Sequence, residues 1–290
     1  RKAVGTRATS DNPADRYAAS SVLASGRWAK ISIKDDGLYR ITKSQLRSLG
    51  FSNPDNVSIY GYGGHRQAEA INADSDWDDL EPVAVQAAGD AYVFYANGLM
   101  TWRKGFHAIN HYARDAYYFV CEGQEPTAIA ERDFSNGSAA LPETSTFTAY
   151  ATLDPQEYAW YQGGSQLFES YDYANGSQRS YTLTLPTYPD SSRPSTLLVN
   201  FTAANATETL VTPTFNGTEL QQFTISSLGE YCFAMQTSRT YRNLAAPVTD
   251  NTISISTTAG NSARLNYFEL TYTGIMRIDA QKPQIQFAYT

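Results

Sequence analysis

The chain has 290 residues, and Lys+Arg 22 against Asp+Glu 29 gives a formal net charge of −7. That balance removes the attraction on which binding to nucleic acid or an anionic membrane surface depends, and no apolar run approaches the roughly 20 residues that cross a bilayer as a helix. Two cysteines are too few for a disulfide scaffold, whereas 21 Tyr and 13 Phe, with short apolar runs broken by Gly, Pro and Asn, are the composition of strands and turns.

Arg1 to Ala19 shows no periodicity and reads as a flexible leader over residues 1–19. Trp28 to Lys34 then alternates, with Ala29, Ile31 and Ile33 on one side and Lys30 and Ser32 on the other, as a half-buried strand does. Asp36-Gly37 predicts a hairpin turn that returns Leu38, Tyr39 and Ile41 beside that strand. Thr42 and Gln45 form a T-x-x-Q capping box, Ile41 and Leu46 take the staple positions and Gly50 the C-terminal cap, so a short helix is predicted near residues 43–49. Strands follow at Val57 to Tyr60, Tyr92 to Tyr95 and Tyr117 to Cys121.

Gly123, Pro126, Gly137 and Pro142 cluster where apolar residues thin out, which predicts a domain boundary. Residues 20–142 are expected to form a mostly β domain and residues 143–290 a second one. Beyond the boundary, strand patterns recur at Phe147 to Leu153, Ser180 to Leu185, Thr196 to Thr202, Leu210 to Phe215, Gln222 to Ser226, Tyr231 to Met235, Thr252 to Ser256, Arg264 to Thr273 and Gln284 to Tyr289, with Asn216-Gly217 as a hairpin turn. The fold class is therefore mainly β: two β-rich domains, the second an antiparallel sandwich of jelly-roll type.

No residue set predicts catalysis. Cys121 closes the apolar run from Tyr117 and reads as a small buried hydrophobe rather than a nucleophile near His65, His107 or His111. Both Cys121 and Cys232 sit in aromatic stretches and are expected to be reduced and buried. His107 and His111 have the i, i+4 spacing of ligands on a helix, but the H-E-x-x-H carboxylate is missing, so structural loop histidines are expected. Asp74, Asp76, Asp78 and Asp79 are candidate ligands for a weakly bound calcium; the calcium-loop pattern fails, with Asp79 where Gly belongs and Val85 where the bidentate Glu belongs. A solvated acidic loop with no cofactor is the expectation. Trp160, Tyr161 and Tyr173, near Gly163-Gly164, are candidates for stacking on a glycan, although aromatic side chains in β-domains more often fill cores. No P-loop, G-x-G-x-x-G or G-x-S-x-G occurs.

The unit from Leu23 to Gly50, the strand and glycine turn Val57-Ser-Ile-Tyr60-Gly61-Tyr-Gly63-Gly64, the segment Asp78-Asp79-Leu80-Glu81 with Asp90 to Gly98, and Trp102 with Asn110 to Phe119 together resemble the start of the mature region of PorU-like gingipain-type cysteine peptidases, the sortase family of type IX secretion in Bacteroidetes. Leu265 to Tyr272 is similar to the strand that precedes the peptidase domain in that family. The resemblance is strongest from Leu23 to Val120 and thin from Thr127 to Ser262. It implies a non-catalytic N-terminal region, because the family's catalytic His and Cys lie in a caspase-like domain that follows it. The expected partner is that downstream peptidase domain of the same polypeptide, and beyond it other secretion or cell-surface proteins. Tyr272, Ile275, Met276 and Ile278 are the candidate interface residues. The resemblance, with the Tyr-, Asn- and Thr-rich composition, implies export to the periplasm, outer membrane or cell surface. The alternative from a different class is a free-standing cell-surface glycan-binding β-sandwich protein.

Overall fold

A computed structural model describes residues 18, 20–67, 78–103, 105–130, 144–162, 166–258, 260 and 262–286. Alternating burial along the runs singled out above produces β1 (Trp28–Ile33), β2 (Gly37–Thr42), β3 (Val57–Tyr60), β4 (Pro82–Val83), β5 (Val85–Ala88), β6 (Ala91–Ala96), β7 (Met100–Arg103), β8 (Phe106–Ile109) and β9 (Ala116–Glu122), with α1 (Lys43–Ser48) after β2. The second half supplies β10 (Thr146–Leu153), β11 (Gln178–Thr184), β12 (Ser195–Ala203), β13 (Thr209–Phe215), β14 (Thr218–Glu219), β15 (Phe223–Ile225), β16 (Met235–Leu244), β17 (Asp250–Thr257) and β18 (Ala263–Ile275). The pairings between these strands are antiparallel.

Two compact units result: Arg1–Thr101 with Ala108–Ser138, and Trp102–His107 with Ala139–Thr290. In the first, one sheet has the order β1-β9-β3-β4 and another β2-β6-β5. The expected hairpin between β1 and β2 does not form. β1 pairs with β9, setting Ala29 opposite Val120, while β2 pairs with β6, setting Ile41 opposite Tyr92. Lys34 to Asp36 is thus a corner between sheets, because longer-range apolar pairing outweighs the local turn signal. The core joins Ile33, Ile41, Leu46, Val57, Ile59, Phe94, Tyr118 and Val120. The helix is capped as its sequence dictates: Gln45 N–H donates to Thr42 Oγ1 at 3.0 Å and the Gln45 side-chain oxygen accepts from Thr42 N–H at 2.8 Å. At its end Gly50 has φ +91°, and the amides of Gly50 and Phe51 donate to Arg47 and Leu46, a Schellman closure.

The second unit is a sandwich of a sheet ordered β10-β18-β12-β16 and a sheet ordered β11-β17-β13-β14, with β15 also on β13. Strands β10, β11, β12, β13, β16, β17 and β18 alternate between the two sheets, the crossing pattern of a jelly roll. Its core interleaves Leu197, Val199, Phe201, Phe268 and Leu270 with Tyr181, Leu183, Val211, Phe215, Ile253 and Ile255. The Asn216-Gly217 turn adopts φ of 48° and 84°, as a type I′ connection requires. Two expected strands are corrected. Tyr231 to Ala234 is a loop, with Tyr231 at φ 63°, and the strand begins at Met235. Gln284 to Gln286 is not a strand, and the remainder of that expected strand lies outside the described residues.

Candidate functional site

The interface candidates separate by burial. On β18, alternate residues face the core, which draws Tyr272 to 2% exposure, its hydroxyl 2.7 Å from Thr187 Oγ1. Tyr272 is therefore a core residue and not a partner contact. Ile275 is half-buried at the strand end, where its amide donates to the Tyr188 carbonyl at 2.8 Å. Met276 and Ile278 lie past the strand, at 41% and 63% exposure. Between them Arg277 lies over the Tyr188 ring, 4.5 Å from its centroid, and pairs with Asp279 at 3.0 Å.

The glycan-stacking candidates also divide. Tyr173 is fully buried, its hydroxyl bonded to that of Tyr181, so it cannot stack on a sugar. Tyr181 donates onward to Glu169 at 2.5 Å, and Arg179 pairs with Glu169 at 2.8 Å. Burial raises the Glu169 carboxyl above its ordinary range, against the Tyr181 hydrogen bond and the Arg179 charge. Trp160 packs edge-on against Tyr158, and its buried indole N–H has no partner among the described residues. Tyr161 is exposed and stacks on exposed Phe233, with centroids 4.5 Å apart and planes at 21°. Phe233 belongs to the loop wrongly expected to be a strand. That loop also exposes Tyr231 and Cys232, so the expectation of a buried Cys232 is corrected. Cys121 is buried on β9 between β1 and β3, its thiol donating to the Glu122 carbonyl at 3.4 Å and pushed up in pKa by burial.

Of the calcium candidates, Asp74 and Asp76 lie outside the described residues. Asp79 does not present its oxygens to a cation. One accepts from Ser21 Oγ at 2.9 Å and Leu80 N–H at 2.8 Å, the other from Val22 N–H at 2.6 Å, while Asp78 accepts from Ala18 N–H. No group of three or more His, Cys, Asp or Glu able to hold a metal occurs among the described residues.

The structure also holds a buried ionic cluster centred on His107. His107 lies on β8, a strand rather than a loop or helix. Its Nδ1 is 2.5 Å from Glu269 Oε1 and its Nε2 2.9 Å from Asp154 Oδ2, with the three side chains 4%, 5% and 6% exposed. The His107 amide donates to the same Glu269 oxygen at 2.9 Å. Trp102 and Tyr267 flank the imidazole, and Trp102 stacks on Tyr150 with centroids 5.1 Å apart. The sequence did carry a signal for this cluster: Glu269 sits in the apolar run Leu265 to Tyr272, where a carboxylate requires a buried partner.

No family model and no curated protein matches the chain. Among solved structures, it is similar to dimeric latent PorU from Porphyromonas gingivalis, with TM-score 0.77 and 23% identity over 90% of this chain; it spans 25% of that chain. A family 36 carbohydrate-binding module in complex with calcium and xylotriose is matched at TM-score 0.25 and 21% identity, covering 34% of this chain and 76% of the module. The C-terminal family 6 module of LamC, a marine laminarinase from Zobellia galactanivorans, is matched at TM-score 0.28 and 20% identity, covering 43% of this chain and 98% of the module. Only the first of these scores describes a fold shared along the chain.

Proposed function

We propose that this chain is a non-catalytic N-terminal region of a secreted PorU-like gingipain-type cysteine peptidase, and that its two β-rich units support or shield a peptidase domain of the same polypeptide. The observation that carries this reading is the likeness of fold to latent PorU over 90% of the chain at TM-score 0.77. That PorU structure is of a latent form, which favours shielding. Two features support a non-catalytic role: the Cys121 thiol is buried and held in its protonated form, the opposite of a nucleophile's setting, and both nitrogens of His107 are engaged. Export accompanies the reading.

Met276 and Ile278 are the residues best placed to meet the peptidase domain, since they are exposed and apolar just beyond the last strand. Calorimetry of the chain with the separately expressed peptidase domain tests this. Association is expected, and Met276→Asp combined with Ile278→Asp should weaken it by about tenfold or more. No association of the unmutated pair removes the reading.

One observation favours the alternative, a free-standing glycan-binding protein: the exposed Tyr161 and Phe233 rings, since aromatic faces left in solvent suit sugar stacking. Retardation of the chain in polysaccharide-containing native gels, lost in Tyr161→Ala and Phe233→Ala, would support it.

A further inference from the structure

Residues Trp102 to His107 belong to the second unit although Thr101 and Ala108 on either side belong to the first. The segment is the tip of the β7–β8 hairpin and turns at Gly105, whose φ of +83° suits glycine, with the Tyr150 ring next to it. Trp102 stacks on Tyr150 of β10, and Gly105 lies against the same ring. To these apolar contacts is added the buried ionic cluster around His107.

An imidazole with a carboxylate oxygen at each nitrogen satisfies both contacts only as a donor twice over, and only the cation carries two N–H groups. Asp154 follows β10 and Glu269 lies on β18; among the described residues His107 supplies the cationic partner of both. Without it, two buried carboxylates would stand desolvated and uncompensated. Among the described residues, Tyr267 from β18 lies edge-on to the imidazole at 4.7 Å between centroids, and Tyr150 from β10 lies behind Trp102.

We propose that His107, held as an imidazolium between Asp154 and Glu269, is an alkaline-sensitive latch that fastens residues 102–107 into the second unit. Burial alone would lower the imidazole pKa, but the hydrogen bonds and charges of Asp154 and Glu269 outweigh it and raise it from 6.5 to about 9. A pKa raised on folding contributes stability that is complete below the unfolded value near 6.5 and is lost as pH rises through about 9. Above that point the neutral ring keeps one N–H, one carboxylate faces a lone pair, and the segment loosens.

The chain contains three histidines, so selectively labelled imidazoles in the intact protein can be followed individually by NMR from pH 6 to 10.5. The His107 resonance, assigned by its absence in His107→Gln or by its contacts to Tyr267, is expected to titrate near pH 9. Hydrogen-exchange protection of residues 102–107, relative to β12 and β18, is expected to fall about tenfold or more between pH 7 and 10. Asp154→Asn should move the His107 midpoint down and lower that protection already at pH 7. A His107 midpoint at or below about 6.5, protection of 102–107 that does not change with pH, or an Asp154→Asn protein with an unmoved midpoint would each overturn the latch. If His107→Gln does not fold, the unmutated titration and Asp154→Asn decide the matter.

Discussion

At the scale of single residues, the two thiols show how environment rather than type sets behaviour. Cys121 lies opposite Trp28 and Ser58 in the middle of its sheet and is fully buried, while Cys232 sits in an exposed loop. A thiol reagent added to the native protein is therefore expected to modify one group, Cys232, with the second appearing only on unfolding. Titration with and without denaturant checks this; two fast-reacting thiols would mean that Cys121 is not covered. Thr42 offers a second residue-scale expectation. Its side chain satisfies an amide at the start of α1, so Thr42→Ala should cost about 1 kcal/mol of stability by chemical denaturation. An unchanged midpoint would show that the capping box contributes nothing in this context.

Among the elements, legibility followed burial. β18 was readable because Leu265, Phe268, Leu270 and Tyr272 bury their side chains, and β12, β13 and β17 for the same reason. The capped helix was readable because its signals are local and chemical. β16 was missed: it is an edge strand whose residues, Met235–Leu244, bury only Tyr241, so no apolar alternation is written into it. The β1–β2 hairpin was misread because a turn signal cannot tell a hairpin from a corner between sheets; partner choice is set by distant residues such as Val120, which lies between Ala29 and Ile59. The candidate site was less legible still. The sequence marked Met276 and Ile278 but could not separate them from buried Tyr272, and it named His107 without its partners, which lie 47 and 162 residues away. This contrast between core and edge strands is testable. Phe268→Ala, at a position in edge-on contact with Tyr181 across the core, should cost about 3–5 kcal/mol. Arg242→Ala on the exposed side of β16 should stay within about 0.5 kcal/mol. Comparable losses at the two sites would contradict the division.

For the whole molecule, the fold shared with latent PorU over 90% of the chain is the ground on which a role alongside a peptidase domain is proposed. Interfaces between units of one polypeptide concentrate their energy in a few exposed apolar residues, and Met276 and Ile278 are exposed just beyond β18. The central claim is tested most directly by following peptide hydrolysis, and the recovered folded yield, of the separately expressed peptidase domain while this chain is titrated in. Shielding predicts a saturable fall in hydrolysis, and support predicts a saturable rise in active yield; either effect should weaken with Met276→Asp and Ile278→Asp together. Hydrolysis and yield that stay constant through a large excess of the chain would contradict the account.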